Sequence, residues 1–283
     1  MTARRRPILV TGASGLLAPY IAEAARALGP VVMTGRSSGD ERCDLTDRGA
    51  VEALIERLRP SIVVHCAAMT NVDACEADPD AAFAANRDAT AYVASALPSS
   101  CRLVYISTDQ IYPDTRGPHP EDKTGPVNTY GRSKLGGEFC AVAHNATLVL
   151  RTNLFGPSRS PGRASLSDFF IAGFRSGASV KLFSDSIFSP LHMETLAETA
   201  MRCLERNIFG VFNAGSRRGM SKMDFALALG RHLGLPTTSG VPTVSRSLGA
   251  RAQRTADLRM SVRRLERALG SSMPTLLQEI RKL

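Results

Sequence analysis

Short apolar runs alternate along the first half of the chain with stretches whose apolar residues recur at helical spacing. The runs are Pro7 to Val10, Val31 to Thr34, Ile62 to Ala68 and Leu103 to Ile106. Each is continuously apolar rather than alternating, which is the pattern of a strand buried on both faces. Between them, Tyr20, Ile21, Ala24, Ala25 and Leu28 mark a helix closed by Gly29-Pro30. A second helix carries Val51, Leu54, Ile55 and Leu58. A third opens at Asp78-Pro79 and runs through Phe83, Asn86, Ala89, Tyr92 and Val93. Strands joined by helices of this length predict an α/β protein, a parallel sheet covered on both faces. Beyond Arg151 the spacing predicts a helix with Phe169, Phe170 and Phe174, then a strand at Val180 to Phe183. A helix from about Glu194 to Leu204, a strand at Val211 to Asn213 and a helix from Lys222 to Leu233 follow. The loop Gly156 to Arg163, rich in Gly, Pro and Ser, is either a cover for a ligand or an ordinary surface connection. No internal repeat or low-complexity segment interrupts the chain.

Composition narrows this picture. At 283 residues with 43% hydrophobic content and 22% charged, the chain can bury a core as one large domain or two unequal ones. No apolar stretch reaches 18 residues, and Ile8-Leu9-Val10 is cut by Thr11-Gly12 too early for a signal peptide, so a cytoplasmic protein without a membrane partner is expected. The six cysteines form no Cys-x-x-Cys pair and the five histidines no i, i+4 pair, so no metal site is expected. A net charge of +9 suggests an anionic partner. Much of the excess lies in Arg4 to Arg6 and from Arg246 to Lys282, and no helix-turn-helix, RNP or finger pattern points to nucleic acid.

The first strand runs directly into Thr11-Gly12-Ala13-Ser14-Gly15-Leu16-Leu17-Ala18 and then a helix. Glycines at 12 and 15 let the backbone approach a pyrophosphate at a helix N-terminus, and Ala18 is small enough to pack closely against the strand. The spacing is Gly-x-x-Gly-x-x-Ala and departs from Gly-x-Gly-x-x-Gly at Ser14, and a plain tight turn would show the same glycines. The second strand ends in Gly35-Arg36, where NAD sites usually carry a carboxylate. An arginine suits a 2′-phosphate, so Arg36 points to NADP. Asp47 reads as a helix cap. Ligands of such sheets sit at the carboxyl ends of the strands, where Gly12, Arg36, Ala67 and Ser107-Thr108 all fall. The loop Pro113 to Pro126 delivers the chain to Tyr130-Gly131-Arg132-Ser133-Lys134, a phenol and an ammonium on one helical face. A nearby cation would favour the phenolate, and two solvated helix residues would show the same spacing.

Taken together the motifs resemble the extended short-chain dehydrogenase/reductases, and within them the dTDP-4-dehydrorhamnose reductase group. The resemblance rests on the glycine turn, Asp44-Leu45-Thr46, His65 to Asp73, Ile106 to Asp109, Tyr130 to Lys134 and Leu150 to Asn153. It continues through Phe188-Ser189-Pro190, Gly210 to Asn213 and Arg251 to Arg254, covering nearly the whole chain. It implies a Rossmann-type doubly wound sheet over 1–152, completed by segments around 179–215, with a smaller α/β region at 153–283 that mainly binds substrate.

The resemblance assigns Gly12, Ser14, Gly15, Leu16 and Leu17 to the cofactor pyrophosphate and Asp44-Leu45 to adenine. Ala67, Ala68, Met69 and Ser107 would line the cofactor cleft. Tyr130 would be the catalytic acid, Lys134 would hold the nicotinamide ribose and lower the tyrosine pKa, and Thr108 would bind the substrate carbonyl. Asp109, Asn153 and Arg254, with Arg251, would meet a nucleotide-sugar substrate.

The implied activity is NADPH-dependent reduction of a nucleotide-linked 4-keto-6-deoxy sugar, with NAD as a possible cofactor and a homodimer as a possible assembly. Thr108-Asp109-Gln110 lacks the glutamate that dehydratases of the superfamily place there, which removes a general acid/base group for elimination. An epimerase would use the same Tyr and Lys but retain NAD. The resemblance also extends to the regulatory subunit of methionine adenosyltransferase, which acts by binding a partner.

Overall fold

A computed structural model describes residues 6–245, 249 and 252–283 of the chain. Among them, seven strands form one parallel sheet, built around β1 (Ile8–Thr11), β2 (Val31–Gly35), β3 (Glu41–Arg42), β4 (Ile62–His65), β5 (Arg102–Thr108) and β6 (Thr147–Thr152). Across the sheet the order is Gly210–Ala214, β6, β5, β4, β1, β2, β3. The chain thus winds outward from β1 in one direction and then, through β4, in the other. β1 pairs in register with both β2 and β4, Val10 opposite Met33 on one side and Val64 on the other.

The apolar runs are continuous because successive residues feed opposite layers. Ile8, Val10, Ile62 and Val64 pack into one core with α1 (Ala18–Ala25). Leu9, Val63, Leu103 and Val149 pack into the other with α2 (Arg48–Leu58). Asp47 caps α2 as expected, accepting from Ala50 N at 3.1 Å.

Several elements depart from the sequence pattern. α1 ends at Ala25, so Leu28 lies outside it. The segment after Ala68 forms an unforeseen short helix, α3 (Val72–Ala77), capped by Asn71. The helix expected from Asp78 is interrupted: α4 (Pro79–Phe83), a π turn at Ala84–Asp88, then α5 (Ala89–Ala96). Such turns often mark functional positions.

Of the later segments expected to complete the sheet, Gly210–Ala214 does so beside β6, whereas Val180–Phe183 pairs with Gly240–Thr243 in a separate sheet. Val180 and Leu182 are buried while Lys181 between them is exposed, so this strand has one wet face and could not sit in a sheet buried on both sides.

α6 (Thr129–Val142) crosses behind β5 and β6 and is capped by Asn128, which accepts from Gly131 N at 2.8 Å. Beyond β6 the chain adds α7 (Leu166–Ser176), α8 (Met193–Glu205), α9 (Lys222–His232), α10 (Arg263–Leu269) and α11 (Leu276–Ile280). A third core gathers Phe155, Phe170, Phe174, Phe188 and Phe225 between α7 and α9. No helix among the described residues is long and apolar enough to cross a membrane.

Candidate active site

The turn after β1 is shaped by Gly12, whose φ of +78° lies in the left-handed region. A Cβ there would stand 2.8 Å from the Ala67 nitrogen, so the turn and the end of β4 meet backbone to backbone. Gly15 N closes the turn on Gly12 O at 2.7 Å. α1 then begins with no side chain capping it at Leu17, whereas Asp47, Asn71, Asp78 and Asn128 each cap the helix that follows them. Pro19 brings no N–H to this first turn, and Tyr20 N and Ile21 N donate to Leu17 O, so an anion there would rely on the N–H groups ahead of Pro19 and on the positive dipole end. Ser14 is exposed, Gly15 and Leu16 are partly buried, and Leu17 is buried.

Gly12→Ala should lower stability by at least about 1–2 kcal/mol from the left-handed backbone alone, the contact with Ala67 adding to it. Thermal unfolding checks this; an unchanged midpoint would mean that the turn relaxes.

Beneath the turn, Thr11 Oγ1 accepts from Cys66 N at 3.1 Å and Ala67 N at 3.2 Å. Its own proton then goes to His65 Nδ1, 2.8 Å away. Burial pulls the His65 imidazole down to about 3, so this ring stays neutral. The loop Gly156 to Arg163 lies against the same turn: Ser160 Oγ donates to Gly15 O at 2.8 Å and Tyr20 OH to Pro157 O at 2.7 Å.

On the outer side of the sheet Arg36 is exposed at the end of β2. Asp44 is exposed and accepts from Thr46 N at 3.0 Å and Thr46 Oγ1 at 2.8 Å, which holds its carboxyl below the usual range, while Leu45 is buried. Past β4, Ala67, Ala68 and Met69 are partly buried. Met69 is clasped by Asn86, whose Oδ1 accepts from Met69 N at 2.8 Å and whose Nδ2 donates to Met69 O at 3.0 Å. Asn86 also donates to Ser133 Oγ at 2.9 Å and so ties the cleft wall to α6. Helical spacing alone gives Asn86 no role beyond its helix; its buried amide in the π turn is the signal that it does more.

Thr108 and Tyr130 meet where β5 ends and α6 begins. Both are buried, and burial pushes the Tyr130 phenol up, opposed by hydrogen bonding with the Thr108 side chain and reinforced by the Asp109 carboxylate. Lys134 is not among the groups acting on the phenol, contrary to the expectation that it lowers the tyrosine pKa. Its Nζ instead donates to Ile106 O at 2.7 Å and stands 4.0 Å from the centre of the Tyr105 ring. Burial pulls its ammonium down to about 7, with Glu138 opposing.

Glu138, four residues further along α6, is buried against Arg151 at 2.8 Å and accepts from Ser107 Oγ. This ion pair under the site escaped sequence reading, although Glu138 follows Lys134 at i+4 on the same face.

On the substrate side, Asp109 is 1% exposed and burial pushes its carboxyl up to about 6, opposed first by Asn153, which donates to it at 2.7 Å, and then by Lys222. Lys222, at the first turn of α9, is an unforeseen member of the group. Burial pulls its ammonium down, and Asp109 and Asp185 pull against that while Arg254 adds to it. Arg254 donates to Asp73 at 2.9 Å. Arg251 lies outside the described residues. Among the described residues no group of three or more His, Cys, Asp or Glu side chains could hold a metal ion.

A doubly wound parallel sheet with a glycine turn at β1 and a Thr, Tyr and Lys at the β5–α6 junction defines an extended short-chain dehydrogenase/reductase. Within that class, residues 5–283 match the family described as RmlD substrate binding domain, and the chain belongs to it. It is 28% identical to the probable low-salt glycan biosynthesis reductase Agl14 of Haloferax volcanii, over 97% of this chain and 96% of that one. It is 30% identical to methionine adenosyltransferase 2 subunit beta of Danio rerio, over 95% of this chain and 86% of the relative. Among solved structures, a dTDP-4-dehydrorhamnose reductase from Clostridium acetobutylicum superposes with a TM-score of 0.89 at 25% identity, covering 98% of this chain and 97% of the other.

Proposed function

We propose that the chain is an NADPH-dependent reductase of a nucleotide-linked 4-keto-6-deoxy sugar. The observation that carries this reading is the meeting of Thr108 and Tyr130, both buried, at the end of β5, two strands from an uncapped helix N-terminus beside a glycine cradle. The turn fits a dinucleotide: glycine at position 12 lets it close against the Ala67 backbone, and the positive end of α1, with the N–H groups ahead of Pro19, would face the pyrophosphate. Arg36, exposed at the next strand end, would pair with a 2′-phosphate.

Bound NADPH would supply the hydride to the keto carbon. Thr108 and Tyr130 would donate to the oxygen on which negative charge then develops, and Tyr130 would give up its proton. The raised pKa of the phenol keeps that proton in place until it is needed. Lys134, buried between Ile106 O and the Tyr105 ring, would hold the nicotinamide ribose. Asp109 and Asn153 would take sugar hydroxyls, and Arg254, with Lys222 beside it, the diphosphate.

Turnover is read as loss of reduced-nicotinamide absorbance with a panel of dTDP- and UDP-linked keto-sugars, and at least one should be reduced. Arg36→Ala is expected to weaken NADPH binding by roughly 1.5–3 kcal/mol, the worth of a charge-assisted hydrogen bond, and to leave NADH nearly unaffected. Equal losses for the two cofactors would move the 2′-phosphate elsewhere.

A second reading, a non-catalytic partner-binding subunit, is favoured by the 30% identity to methionine adenosyltransferase 2 subunit beta. A stable complex with a methionine adenosyltransferase, together with no turnover of any keto-sugar, would select it. An epimerase, which retains NAD, fits poorly with Arg36 at the end of β2.

A further inference from the structure

Three short strands, Ile187–Phe188, Met220–Ser221 and Asp257–Leu258, form a small sheet with two very different ends. Lys222 and Arg254 stand at the end facing Asp109. At the other end, a cavity of about 290 Å³ opens between the residues after Gly210–Ala214 and the start of α10. Arg217, Arg218, Arg259 and Arg263 line it, with Glu266 as its one acidic lining residue.

Two of these guanidinium groups are held in place. Arg259 is paired with Asp257 at 2.6 Å, and Arg217 Nε donates to Met273 O at 2.7 Å, its head 3.8 Å from Glu266. Arg218 and Arg263 are exposed and, among the described residues, make no ion pair. Ser216 also lines the cavity. It is 1% exposed and its hydroxyl is buried without a hydrogen-bond partner, an arrangement that folded proteins rarely leave unanswered.

We propose that this cavity is a second anion site, separate from the candidate active site, that takes a small phosphate compound. Four guanidinium groups against Glu266 and Asp257 leave a positive surplus. The planar fork of arginine matches phosphate oxygens in pairs, which a chloride ion cannot satisfy. The cavity is a concave space bounded by Pro118 and Met260 rather than a basic stripe, so it suits a compact ligand and not a nucleic-acid backbone. Arg259 and Arg263 belong to the basic C-terminal stretch, and unlike Arg254 they have no part in the proposed reductase activity.

The test is calorimetric titration of the full chain with pyrophosphate at low, fixed chloride. One saturable site is expected. The double variant Arg218→Gln/Arg263→Gln should weaken it at least about tenfold through loss of two charge-assisted contacts, with an unchanged unfolding midpoint. Arg36→Ala and Lys222→Gln, which alter two of the anion-binding positions of the active site, should leave it as it is. The proposal is overturned by the absence of saturable binding, by wild-type affinity in the double variant, or by loss of binding in Arg36→Ala or Lys222→Gln instead. None of these outcomes depends on the chain being a reductase.

Discussion

Tyr130→Phe is expected to lower kcat by about 10²- to 10⁴-fold, the range that a positioned proton donor supplies, and to leave NADPH affinity nearly unchanged. The phenol is 8% exposed, and its ring packs with Cys75, Ala82, Met69 and Val72, contacts that phenylalanine keeps. What the variant loses is the hydroxyl next to Thr108, the group from which an alkoxide would take its proton. Because that interaction is made at the reacting oxygen, kcat and kcat/KM should fall together. Steady-state turnover with a reduced keto-sugar, and a separate cofactor titration, read the two quantities. Turnover at the wild-type rate would remove Tyr130 from the chemistry, and a parallel collapse of cofactor affinity would make it a structural residue.

The largest effect on stability is expected from Glu138→Gln. Glu138 and Arg151 have side chains only 4% and 5% exposed, and the carboxylate also accepts from Ser107. Removing one charge leaves the Arg151 guanidinium uncompensated in the interior, which costs about 3–5 kcal/mol. Arg151 also donates to Tyr112 at 3.2 Å, and Tyr112 bonds Asn213, so the loss propagates from α6 to the strand Gly210–Ala214. Denaturant midpoints measure it. Adding Arg151→Met should recover a good part, since the pair itself is of little net worth once both charges are gone. A loss below about 1 kcal/mol in the single variant would place the pair in the class of solvated surface bridges.

Much of the architecture could be read from the chain because local signals and tertiary burial agree there. The continuous apolar runs became the central strands, Asp47 and Asp78 became caps, and Gly12 marked a backbone position that admits no side chain. The misreadings have a common origin in contacts between distant residues. Apolar spacing predicts one helix from Asp78, but the π turn that presents Asn86 to Met69 is set by packing against α6. Val180–Phe183 has a strand pattern, and only the exposure of Lys181 tells that it belongs to a small separate sheet.

At the candidate site, the Tyr130 and Lys134 pair was legible from i, i+4 spacing, yet spacing does not say which atom an ammonium meets. Lys134 turns to Ile106 O and the Tyr105 face rather than to the phenol. Lys222 and Glu138 were missed for the complementary reason. Each is an ordinary charged residue on a helix until the fold sets it, partly buried beside Asp109 for Lys222 and fully buried against Arg151 for Glu138.

The proposed reduction depends on one arrangement, a substrate carbonyl held between Thr108, Tyr130 and the nicotinamide. A crystal structure of the chain with NADP and a nucleotide-linked sugar measures it directly. The sugar C4 oxygen should lie about 2.6–3.2 Å from both the Tyr130 hydroxyl and Thr108 Oγ1, the reach of a hydrogen bond in proton transfer, with the pyrophosphate at the start of α1. A sugar oxygen out of reach of both hydroxyls, or a dinucleotide seated away from Gly12, would contradict it.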